Sequence, residues 1–209
     1  HTVLHVDRER ACGWTDAEVD KRCGKLFPHT VGATRTLPEK ARAKKRSEWR
    51  RRLWDLSWFM RCLNESIARR ANREDKCTGR FWEGRFRSQA LLDEGAMLTC
   101  MTYVDLNPIR AGMAATLEEA EFTSIRERLV AAARGEGAVP IGLVPFADQG
   151  VEQGNSLPMS FADYADLLRW TAGSISGGVI EEAPGRVEAA LARVGLARDR
   201  FVASVSEYA

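Results

Sequence analysis

The sequence predicts an α+β fold, a small antiparallel sheet with helices on one face, followed by a helical C-terminal extension. Three observations lead there. Val3, Leu4 and Val6 give residues 2–6 the apolar content of a short strand. Arg80, Arg85 and Arg87 alternate with Phe81, Trp82 and Phe86 at close to the period of a strand. Between and after these stretches, apolar residues recur at helical spacing, and strands and helices in that order suit a layered sheet.

Taken in order, the first element is a strand at Thr2 to Val6, and the second a helix at Asp16 to Leu26 with Thr15 as N-cap. A loop holding Pro28, Gly32 and Pro38 follows. Leu53, Leu56, Met60, Leu63 and Ile67 then mark one long amphipathic helix from about Ser47 to Asn72, capped by Ser47. The Arg-rich strand comes next. Met97, Leu98, Met101, Val104 and Leu106 support a helix from Glu94 to Asn107, which Pro108 ends or kinks and Gly112 stops.

After Thr116 the chain is rich in Ala and Glu, with helices expected at Phe122 to Arg134, at Ser160 to Thr171, and once or twice within Arg186 to Tyr208. Gly135, Gly137, Pro140, Gly142, Pro145, Gly150 and Gly154 mark a linker near 135–158. The expected division is 1–115 and 116–209. With 209 residues, 44% hydrophobic and 29% charged, one domain plus an appendage buries a real core.

No stretch approaches a membrane span. Cys12, Cys23, Cys62, Cys77 and Cys100 form no C-x-x-C pair and are odd in number, which argues against a zinc ribbon or a disulfide framework. Reduced thiols in a cytoplasmic protein are the expectation.

A net charge of +2 hides a division. Residues 35–90 hold 17 Lys plus Arg against 7 Asp plus Glu, or +10, and the remainder carries −8. A basic centre between acidic flanks points to nucleic acid, where phosphate neutralisation supplies affinity and makes it salt-sensitive. Lys44, Lys45, Arg46, Arg50 and Arg51 are too dense to be buried, and Arg80, Arg85 and Arg87 are further phosphate candidates. The bland alternative is a solvated face. Phe81 and Phe86 are read as core residues and Trp82 as a packing residue, with base stacking as the other reading.

Tyr103 and Asn107 stand four residues apart on the expected helix, on one face, so both reach a single phosphate. Alone, such a tyrosine is an ordinary core residue. The run Tyr103, Asn107, Pro108, Ile109, Arg110 and Gly112, however, resembles the Tyr-x-x-x-Asn-Pro-hydrophobic-basic-x-Gly helix of the IS200-like transposases, in particular the REP-associated tyrosine transposase group. Upstream, Gly79-Arg80-Phe81-Trp82-Glu83-Gly84-Arg85-Phe86 resembles that group's strand before the tyrosine helix. The likeness covers about residues 1 to 130.

That resemblance implies a ferredoxin-like core and a single-tyrosine, HUH-type transposase. Tyr103 would attack a phosphorus of single-stranded hairpin DNA, leaving a 5′-phosphotyrosine. It also implies a homodimer and a divalent metal, Mg or Mn, held by two strand histidines and Asn107. His1 fits the second histidine, and the first would fall two places before the chain begins. Pairing His1 with His5 fails, because residues four apart in a strand are roughly 13 Å apart; His5 is read as a structural or surface residue.

Asn107 is either a ligand or a cap before Pro108, and Arg110 either touches phosphate or faces the helix C-terminus. Three alternatives stay open: a hairpin-binding relic that does not cleave, another HUH nuclease such as a replication initiator or relaxase, and a helical protein-binding module.

Overall fold

The computed structural model describes residues 1–135, 139–149, 156–177 and 182–207. Among them the chain forms ten α-helices and no sheet, and the one β pairing is an isolated parallel bridge between Phe146 and Leu157. The expected ferredoxin-like antiparallel sheet is overturned. Residues 2–6 form no regular element, and Leu4 and Val6 are exposed. A strand without a ladder is only an extended chain, whatever its apolar content.

The Arg-rich segment fails as a strand for a visible reason. Asn72 Nδ2 donates to the Gly79 carbonyl at 3.1 Å, Arg80 Nε to the Trp82 carbonyl at 2.8 Å, and Trp82 Nε1 to the Asn64 carbonyl at 3.0 Å. One side-chain bond from the preceding helix and one within the segment thus occupy the Gly79 and Trp82 carbonyls, which a ladder would use, while the Trp82 indole ties the segment back to that helix. Gly79, at φ +122°, sets the turn into this segment in a region that favours glycine.

The chain divides into two compact units, residues 4–88 and residues 1–3 with 89–209. The first holds α1 (Arg8–Gly13), α2 (Asp16–Leu26), α3 (Pro28–Thr34), α4 (Glu39–Arg52) and α5 (Leu56–Glu74). Helix α2 has the expected bounds, and Thr15 Oγ1 accepts the Glu18 N–H. The expected loop at Pro28 and Gly32 is instead α3, with Pro28 at the first helical position, where its missing N–H costs nothing. Val19, Cys23, Val31 and Trp49 form a small core.

The single long helix at 47–72 is also corrected. Asp55 accepts the Trp58 N–H at 2.9 Å and caps α5, and a side chain satisfying that donor starts a new helix where apolar periodicity alone would continue the old one. Ser47, expected as a cap, lies inside α4.

The second unit holds α6 (Glu94–Arg110), α7 (Ser124–Ala133), α8 (Phe161–Gly177), α9 (Gly185–Arg193) and α10 (Arg198–Glu207). Leu98 and Leu106 of α6 share one core with Ile125, Leu167, Leu168, Val187, Leu191 and Phe201. The helix that carries Tyr103 therefore packs with the C-terminal helices, and the compact units part near Gln89 where the expected boundary was at 115 and 116. A Cβ at Gly95 would sit 3.1 Å from the Val194 carbonyl, so glycine lets α6 approach the turn between α9 and α10.

Helix α6 runs through Pro108 to Arg110. It then ends in a Schellman arrangement: Gly112 at φ +67°, with its N–H on the Ile109 carbonyl at 3.0 Å and the Met113 N–H on the Pro108 carbonyl at 2.8 Å. Gly112 is the stop the sequence indicated, and Pro108 is not.

Of the expected linker, the described part packs inward. Phe146 is fully buried, Leu157 is buried beside it, and the Leu157 N–H reaches the Pro145 carbonyl at 2.7 Å. Gly137, Gly150 and Gly154, and Tyr208 at the other end, lie outside the described residues. Among the described residues no helix is long and apolar enough to cross a membrane.

Candidate functional site

Tyr103 is half-buried on α6, so its ring is neither sealed in the core nor fully solvated. The His1 ring meets it edge-on, with centroids 5.3 Å apart and planes at 77°. The Arg110 guanidinium carbon lies 4.5 Å from the Tyr103 ring centroid, two helical turns further on. Asn107 is half-buried one turn from Tyr103. The structure thus gathers His1, Tyr103, Asn107 and Arg110 in one unit. Arg110 Nη1 is shielded from solvent and has no hydrogen-bond partner among the described residues. A buried guanidinium N–H without an acceptor is costly unless a ligand supplies one.

The opposite side of α6 explains how this face is held. Asp105 is 1% exposed. Its carboxylate accepts from the Tyr164 hydroxyl at 2.8 Å, from Ser124 Oγ at 2.9 and 3.0 Å, and from the backbone N–H groups of Ser124 and Ile125 at 3.1 and 3.3 Å. It therefore ties α6 to α8 and to the N-terminus of α7, whose dipole favours the charge. Burial raises the Asp105 carboxyl above its usual range, opposed by those hydrogen bonds. Burial also pushes Tyr164 well above its ordinary value, with the Asp105 charge adding to it, so its phenol stays protonated as a donor.

Arg128 completes the cluster, 4.6 Å above the Phe146 ring and donating to the Val144 carbonyl at 2.7 Å. Burial lowers its affinity for the proton, which Tyr164 and Asp105 partly offset. Asp105, Ser124 and Arg128 were not singled out from the sequence, which places Tyr164 only on the apolar side of its helix. The available signal was Asp105 itself, a carboxylate within the apolar run of α6, which requires buried donors.

The basic candidates belong to the other unit and separate into two kinds. Arg46 bonds Asp20 at 2.8 to 3.1 Å and Asp16 at 3.4 Å, and Arg50 bonds Asp16 at 3.1 Å and the Trp14 carbonyl at 2.7 Å. These two fix α4 on α2. Lys44, Lys45, Arg51, Arg80, Arg85 and Arg87 are exposed, with Lys45 paired to Glu48 at 3.1 Å and Arg51 to Asp55 at 3.4 Å. Phe81, expected in the core, is 42% exposed beside Trp82 at 40%, because this segment folds back by hydrogen bonds and lies over no sheet.

A divalent ion of the kind the resemblance implies would fall to His1 and Asn107. These are two donors next to a ring that already carries the Arg110 guanidinium, and among the described residues no group of three or more His, Cys, Asp or Glu side chains could hold a metal ion. Mg and Mn favour oxygen-rich shells with carboxylates, so the residues present do not fit such an ion by themselves. Compared with family models, curated proteins and solved structures, the chain matches none of them.

Proposed function

We propose that this chain is a single-tyrosine DNA strand transferase acting on single-stranded or hairpin DNA, with Tyr103 as the nucleophile. The observation that carries the reading is the half-buried Tyr103 ring with the Arg110 guanidinium against it, whose Nη1 has no hydrogen-bond partner among the described residues. In the step proposed, the Tyr103 oxygen bonds to phosphorus as the bond from phosphorus to the 3′-oxygen breaks. The phenol loses its proton to solvent, and the 3′-hydroxyl leaves protonated. The guanidinium offsets charge that develops on the phosphoryl oxygens.

The unit that holds residues 4–88 supplies the DNA affinity. It carries 22 Lys plus Arg against 12 Asp plus Glu, or +10, and Lys44, Arg80, Arg85 and Arg87 stand exposed on it. A homodimer belongs to the same reading by resemblance. A cytoplasmic setting belongs to the same proposal on the strength of the five free thiols.

Labelled hairpin DNA, incubated with the protein and resolved on a denaturing gel, tests the proposal in parallel reactions with Mn, with Mg and with chelator. A protein-linked band that disappears in Tyr103→Phe supports it, and the chelator lane reads the metal requirement separately. A second reading, binding without cleavage, is favoured by the absence, among the described residues, of any strand to seat a histidine pair. That reading predicts shifted but never covalently linked DNA.

A further inference from the structure

We propose that a cavity in the basic unit receives one unpaired nucleobase of bound single-stranded DNA. The inference rests on the DNA reading above but not on Tyr103 chemistry. The cavity measures about 190 Å³ and lies where the end of α2 and the start of α3 meet α4 and α5. Phe27, Trp49, Leu53 and Trp58 give it an apolar and largely aromatic wall, while Arg52 and Thr30 bring polar atoms to it. None of these residues takes part in the Tyr103 site.

Size narrows the occupant first. Pockets for drug-sized molecules span about 300–1,000 Å³, so this one suits a single flat ring system. Its chemistry narrows the choice further. The Arg52 guanidinium carbon lies 3.9 Å from the Trp58 ring centroid and that of Arg61 lies 5.2 Å away, so a guanidinium plane and an indole stand together. The Phe27 ring is 6.2 Å from the same indole, tilted by 57°.

Bases stack on aromatic rings and on guanidinium planes, and their ring nitrogens and carbonyls accept hydrogen bonds. Arg52 is ion-paired to Glu48, and a purely apolar group would cover its remaining guanidinium N–H groups and Thr30 without offering an acceptor. Cys23 also lines the cavity, but burial pushes its thiol up to about 11, so it stays protonated and brings no thiolate chemistry. The surplus of +10 on this unit draws the phosphates that would deliver the base.

The test is equilibrium binding of the full chain, in chelator and at fixed salt. The probes are a fluorescein-labelled DNA hairpin with a thymidine tail, the same hairpin with an abasic tail, and a blunt duplex. The expected result is about tenfold weaker binding of the abasic probe by the wild-type chain. Trp58→Ala should lose about tenfold on the thymidine tail and bind the abasic tail as the wild type does. Trp58→Leu, which keeps the wall apolar, should repeat that pattern and guards against a folding defect.

Equal binding of intact and abasic tails by the wild-type chain overturns the base pocket and leaves DNA binding standing. Equal losses on both tails in both variants overturn it as well. Failure to bind any probe overturns the DNA reading together with it.

Discussion

Residues 4–88 carry a surplus of ten positive charges, whereas residues 1–3 with 89–209 hold 9 Lys plus Arg against 17 Asp plus Glu. The basic unit has a small core around Val19, Cys23, Val31 and Trp49, and it binds α4 to α2 through Arg46, Arg50, Asp16 and Asp20. The acidic unit joins five helices around a continuous apolar core and places one buried polar cluster, centred on Asp105, in its interior. The difference teaches where each unit is vulnerable: one to ionic strength, the other to lost volume and lost hydrogen bonds.

The largest expected effect lies in the apolar core. Leu167 is fully buried, and Leu167→Ala should destabilise the acidic unit by about 2–5 kcal/mol. Hydrogen exchange in α2 and α4 should stay as it was; a common rise in both units would break the comparison. Next comes Tyr164→Phe, which removes a hydrogen bond to a buried carboxylate and should cost about 1.5–3 kcal/mol in chemical denaturation.

The pH dependence follows from Asp105. With its folded pKa raised above the ordinary carboxylate range, the folded state binds the proton more tightly. Its contribution to stability therefore grows as pH falls through the raised value and declines as pH rises. Between mildly acidic and neutral pH, Asp105→Asn should flatten this part of the slope, and an unchanged slope would show that another group is responsible. The smallest effect belongs to the basic unit. A double-mutant cycle on Arg46→Ala and Asp20→Ala should give only a small coupling that shrinks in high salt, because this pair is partly exposed.

Local signals in the sequence survived well. Thr15 caps α2, Gly112 terminates α6, and of the residues that helical spacing puts on the apolar side of α8, Tyr164, Leu167, Leu168 and Trp170 are buried and Phe161 is half-buried against the same core. What depended on distant partners did not survive. Val3, Leu4 and Val6 have strand composition but nothing to pair with, and the bonds around Arg80 and Trp82 run to and from α5 and within the segment. Asp55 split an expected helix because capping competes with periodicity at a single residue.

At the candidate site, the spacing of Tyr103 and Asn107 followed from helical geometry alone. The approach of His1 to Tyr103 was beyond any local rule, since about a hundred residues of chain separate them. Asp105 was legible in principle, as a charge inside an apolar run. Its partners Ser124 and Tyr164 lie on other helices, so only the tertiary arrangement identifies them.

The central claim is that the Tyr103 oxygen attacks phosphorus, and mass spectrometry of the protein after incubation with single-stranded hairpin DNA tests it most directly. A nucleotide adduct is expected on the α6 peptide, localised to Tyr103 and absent from Tyr103→Phe. An adduct on Tyr164 or Tyr208, or one that persists in Tyr103→Phe, would contradict it.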